Sequence, residues 1–75
     1  LIDNHLGALD RLRAHLATAP RTAHDCFAPL FRREIGAGEY GLALAESVGH
    51  LNHLHARGET ARARRDDGAW LHRLA

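Results

Sequence analysis

The stretch from Gly41 to Gly58 constrains this chain most, because it runs without proline and repeats its apolar residues at helical spacing. Leu44, Val48, Leu51 and Leu54 fall on one stripe, with Ala45 beside it. Arg57 stands where the last turn would be, and Gly58 follows as the residue best able to take a left-handed cap. The spacing predicts a helix of about four to five turns, apolar on one side and closed at its C-terminus. A single amphipathic helix buries nothing alone, so the other segments must supply the surface that covers it.

Those segments are few. The chain has 75 residues, enough for one domain near the lower size limit of a self-sufficient core. Its 45% hydrophobic content is ordinary but leans on Ala, and one Trp, one Tyr and two Phe are the only large anchors. A substrate pocket cut into so small an interior would cost stability, which favours a binding or accessory module over an enzyme. Ten basic residues, all Arg, oppose nine acids for a net charge of +1. Arg favours forked pairing with carboxylate or phosphate. Cys26 is the only cysteine, so no intramolecular disulfide forms. No apolar run approaches the roughly twenty residues of a membrane span, and the N-terminus lacks a signal-peptide layout. We expect a cytoplasmic protein without membrane contact. The chain opens on Leu1 rather than Met, which points to a piece of something longer.

Residues 2 to 17 predict a first helix, with Ile2, Leu6, Leu9, Leu12 and Leu16 on one face and Asp3 and Asn4 as cap oxygens. Pro20 ends it. Thr22 then opens a second helix as N-cap, with Asp25 in place of the usual capping-box Glu. Cys26, Phe27, Leu30 and Phe31 form its apolar face, and Pro29 predicts a kink or restart. Arg32 to Tyr40 holds two Gly and reads as a loop before the long helix. After Gly58 the period changes to two over Glu59–Arg64 and again over Ala69–Leu74. The intervening Arg65-Asp66-Asp67-Gly68 carries the Asp-Gly signal of a hairpin. Trp70 is the natural anchor of that hairpin on the helices. The expected fold is mostly α with a small β-hairpin, a three-helix winged helix occupying residues 1–75, with Pro20-Arg21-Thr22 in the place of a short first strand.

Leu42-Ala43-Leu44-Ala45-Glu46-Ser47-Val48-Gly49-His50-Leu51 resembles the A-L-G-E-A-L-A-H-L signature of the β-lactamase-associated winged-helix domain. Ala19-Pro20-Arg21-Thr22-Ala23 is similar to that family's G-P-R-T-A, and Arg65 to Trp70 is similar to its wing. The family's usual H-R-x-x-R-E opening is altered, since His5 and Asp10 fit while Leu6 and Leu9 replace the two Arg. The resemblance makes Glu46, His50 and Leu51 the family signature. It implies a non-catalytic C-terminal module of a metallo-β-lactamase-fold hydrolase, packing on the catalytic domain of the same chain and shaping its substrate cleft. Zinc would belong to that catalytic domain, because its H-x-H-x-D-H motif does not occur here.

The residues also raise chemistry of their own. His50, His53 and His55 crowd the end of the long helix, and the first two have a spacing that can share a metal. No Cys or acid completes a tetrahedral set, so solvated or hydrogen-bonded His is expected. Glu46 and His50 can simply pair. Cys26 beside Phe27 reads as a small buried hydrophobe, and His24 is too close in sequence to act as its base. Ser47 has no evident catalytic partners. Thus no catalytic, cofactor or metal residue is assigned. Arg62, Arg64 and Arg65 on the wing form a phosphate-contacting set, so a nucleic-acid-binding module or small regulator is the alternative, opposed by Asp66 and Asp67 at the tip. A dimer paired through hairpin edges is a further possibility. Arg11, Arg13, Arg32 and Arg33 suit local ion pairs or an interdomain contact.

Overall fold

The computed structural model describes residues 2–75, with side chains described from Gly7 onward. The expected contributions of Ile2, Leu6, the cap residues Asp3 and Asn4, and His5 therefore lie outside the described side chains. Three helices precede an antiparallel hairpin: α1 (Ile2–Thr18), α2 (Phe27–Phe31), α3 (Tyr40–Ala56), β1 (Thr60–Arg64) and β2 (Trp70–Leu74). Short 3₁₀ turns, His24–Cys26 and Ala37–Glu39, lead into α2 and α3. The order is the one the sequence predicts.

The core forms where the helices meet. Leu9, Leu12 and Leu16 of α1 close against Cys26 and Leu30 and against Leu51 and Leu54 of α3. Leu12, Leu51 and Leu54 are wholly inaccessible, and burying each such side chain contributes about 1.5–3 kcal/mol. Leu9, where the resembling family usually has Arg, is a core residue. Cys26 is fully buried too, and that burial pushes its thiol up to about 12, so it stays neutral at ordinary pH.

The ends of the elements follow their local chemistry. The Thr22 N–H donates to Asp25 Oδ2 at 3.1 Å, and the Asp25 N–H to Thr22 Oγ1 at 3.2 Å, which is the reciprocal cap the sequence predicts. Pro29 differs from expectation. The 3₁₀ turn absorbs the start of the segment, so Pro29 becomes the third residue of α2, where its missing N–H has no intrahelical acceptor to serve. α2 ends at Arg32, which takes the left-handed conformation at φ 59°. Gly58 closes α3 at φ 77°: its N–H donates to the His55 carbonyl, and the Glu59 N–H reaches the Leu54 carbonyl, both at 3.0 Å.

At the hairpin, Thr60 pairs with Leu74, Arg62 with His72 and Arg64 with Trp70. Gly68 takes φ 90° in the connecting loop. Arg21 bridges β2 through two backbone hydrogen bonds with His72 of 2.8 and 2.7 Å, an isolated one-residue bridge where the sequence suggests a short first strand. An ion triad ties the hairpin base to the helices: Arg13 Nε donates to Glu59 Oε1 at 2.7 Å and Arg57 Nε to Glu59 Oε2 at 2.8 Å. Held by both guanidinium groups, Arg13 first, the Glu59 carboxyl falls to about 2. Arg11 reaches the Pro29 carbonyl at 2.7 Å. Both α1 arginines thus serve internal contacts.

Two packing expectations are corrected. Trp70 does not pin the hairpin, since it is 47% exposed; His72, at 6%, is the buried residue of β2. The apolar stripe of α3 holds only at its C-terminal end. Nearer the N-terminus, Ala43 and Ser47 face the core while Val48 is 40% exposed and Leu44 half-buried. The physical reason is close approach. Ser47 Oγ donates to the Ala23 carbonyl at 2.7 Å, a contact that the short side chain permits and a Leu would block.

Candidate functional site

That rotation leaves α3 with two usable flanks. Leu42, Glu46 and His50 follow one another at four-residue spacing on the first. Phe31 and Ile35 join Leu42 and Glu46 around a shallow depression. Leu42 is 69% exposed, the most exposed large apolar side chain described. Arg33 grips Glu39 there with two hydrogen bonds of 3.0 and 2.9 Å, a local ion pair whose acid is Glu39 rather than the adjacent Glu34 that the sequence suggests. His50 Nδ1 lies 2.7 Å from the Glu46 backbone carbonyl rather than its carboxylate. Leu51, the third signature residue, is in the core.

Leu44, Val48 and Asn52 form the second flank and face the hairpin across a cleft of about 390 Å³. Ala23 and His24 close one end, and Arg62, Trp70 and His72 form the opposite wall. Arg62 spans the gap, its Nη1 donating to Asn52 Oδ1 at 3.2 Å. Its guanidinium and that of Arg64 lie 5.4 and 5.3 Å from the Trp70 ring centroid, a cation–π arrangement that fixes all three side chains. Among the described residues, His72 Nδ1 is buried without a hydrogen-bond partner. Burial holds the His72 imidazole below its ordinary 6.5, with Arg62 and His55 adding to the effect.

Arg62, Arg64 and Arg65 of the hairpin therefore divide. Arg62 and Arg64 meet at Trp70, whereas Arg65 turns away to Asp67 with hydrogen bonds of 3.0 and 2.6 Å. That grip lowers the Asp67 carboxyl to about 2. His55 Nδ1 lies 3.2 Å from the Thr60 carbonyl, and among the described residues no three His, Cys, Asp or Glu side chains converge as a metal site. No described helix is long and apolar enough to cross a membrane.

Sequence reasoning missed the cleft and the role of His72. The signal was present in the strand period: once the Asp-Gly turn sets the register, Arg62, Arg64, Trp70 and His72 share one face of the hairpin.

Comparison with known proteins follows the same lines. The family described as metallo-beta-lactamase-like, C-terminal domain, matches residues 9–75. Among solved structures, a beta-lactamase domain protein from Burkholderia ambifaria is similar to the whole chain, with 33% identity and a TM-score of 0.92. The chain spans 22% of that protein's length. None of the curated proteins matches it.

Proposed function

Because this chain belongs to the metallo-β-lactamase-like C-terminal domain family, we propose that it is a non-catalytic winged-helix accessory domain. It packs on a metallo-β-lactamase-fold hydrolase domain in the same polypeptide and walls one side of the substrate cleft. The observation that carries this reading is one of proportion. The chain superposes in full on 22% of a larger β-lactamase domain protein, so a module of this build is one part of that protein. Zinc and the hydrolytic step belong to the neighbour, and a cytoplasmic site of action is part of the same proposal.

The first flank of α3 is the docking face. It joins the exposed Leu42 to the signature residues Glu46 and His50, an apolar centre with a polar margin of the kind interfaces use. A rigid wall beside a metal centre limits which substrates enter and excludes water. To test this, the domain and the catalytic part of the parent polypeptide are produced as separate chains and mixed. Association that Leu42→Asp abolishes, with the fold unchanged by circular dichroism, is the expected result. Two chains that stay apart under sedimentation, and a catalytic part indifferent to its companion, would dismiss the proposal.

A second reading, weak contact with nucleic acid through the wing, draws on Arg62 and Arg64, whereas Arg65 is already engaged. It expects a salt-dependent duplex shift that disappears in the Arg62→Ala, Arg64→Ala double variant.

A further inference from the structure

We propose that the cleft between α3 and the hairpin binds a small organic anion with an apolar body, such as an acyl carboxylate. The body seats on Leu44 and Val48, and the charge meets Arg62. This goes beyond the docking role and does not depend on it, since every residue concerned belongs to this chain and lies off the Leu42 flank.

Charge is the first argument. Among the described residues, Arg62 lines the cleft and no carboxylate does, so an anion entering it finds attraction without repulsion from its lining. The guanidinium is also placed in advance, by Asn52 on one side and by Trp70 on the other. Only one of its five N–H donors is needed for the Asn52 bond, and the fork can still receive a carboxylate. Shape is the second. About 390 Å³ falls within the range of small-molecule sites, roughly 300–1,000 Å³. The lining is mainly apolar, and the half-exposed Val48 and Trp70 are surfaces that an apolar body would cover.

The third argument is an unused polar group. His72 lines the cleft at only 6% exposure, and among the described residues its Nδ1 has no hydrogen-bond partner. Buried polar atoms are nearly always satisfied, and this one, closed to solvent in the free domain, can meet a ligand atom once the imidazole turns toward the cleft. A nucleic-acid strand fits less well. It needs a continuous cationic track, and beyond Arg64 the wing turns to Arg65, already paired with Asp67, and to Asp66.

Trp70 is the only tryptophan, so its emission reports on this cleft alone. The 75-residue chain is titrated with hexanoate, hexan-1-ol, inorganic phosphate and a fifteen-residue oligothymidylate, following Trp70 fluorescence and the methyl resonances of Leu44 and Val48. Saturable hexanoate binding that moves both signals is expected, with hexanol and phosphate each at least about tenfold weaker, as loss of a charge-assisted contact implies. Arg62→Gln, which removes the charge and keeps a polar amide, should weaken hexanoate by a similar factor while the spectrum of the free domain stays native. Arg64→Ala provides a second variant outside the Asn52 bond and should weaken binding less. Equal binding of hexanol, saturation by phosphate alone, tighter binding of the oligonucleotide, or no saturation by hexanoate would each overturn the proposal.

Discussion

The two halves of α3 differ in what they tolerate. Toward its C-terminus Leu51 and Leu54 are wholly enclosed, and the helix packs through large apolar side chains. Toward its N-terminus Ala43 and Ser47 take the inward positions, and the larger Leu44 and Val48 are pushed to the edge of a cleft. One half is held by filling space and the other by leaving room for the backbone at Ala23. A site can exist beside the second half because large apolar groups were displaced there.

Removing volume should therefore harm one half and adding volume the other. Leu54→Ala, which removes volume, should cost about 2–5 kcal/mol, read as a lower urea midpoint; for a domain of this size that approaches complete unfolding. Ser47→Leu, which adds volume, should cost about 1–3 kcal/mol by forcing the Ala23 segment away. Ser47→Ala should cost only about 1 kcal/mol, because the Ala23 carbonyl keeps the Cys26 N–H at 3.2 Å. A Ser47→Leu variant as stable as the parent would erase the distinction between the halves.

Acid should separate them further. His72 is held below 6.5 in the fold, so the unfolded chain binds the proton more readily. Its contribution is complete above the unfolded value and declines as pH falls below 6.5 toward the folded one. Amide exchange at the hairpin base and the cleft-facing half of α3 should rise over that window while the Leu51 and Leu54 amides stay protected, and His72→Gln should abolish the change. A later loss is expected as pH falls toward 2, from 4.5 for Glu59 and from 3.8 for Asp67, as both carboxyls take up protons and loosen their arginine contacts. The smallest effect belongs to Val48→Ala, within about 0.5 kcal/mol of the parent because the side chain is already 40% exposed. A large loss there would mean that the cleft is closed in solution.

Much of the architecture was legible in the residues. Thr22 and Asp25 announced their cap, Gly58 its left-handed turn, and Asp67-Gly68 the hairpin, because each depends on backbone preferences settled within a few residues. The family likeness in Leu42–Leu51 was legible for the same local reason, and residues 9–75 bear it out. Trp70 misled because size alone suggests an anchor. Its position opposite Arg64 makes it a partner for guanidinium groups at the surface instead. The Arg13–Glu59–Arg57 triad was not legible, since it joins the first helix to the end of the third.

By itself the sequence determined the order of elements, their ends and the family, since local torsional preference and short-range periodicity carry that information. Tertiary structure alone decided which face of α3 turns inward. A helix with Leu on several sides can be buried more than one way, and the choice fell to the Ala23 backbone, which the short side chain of Ser47 admits and caps with a hydrogen bond. From that choice come the displaced Val48, the cleft, and the buried His72 beside it.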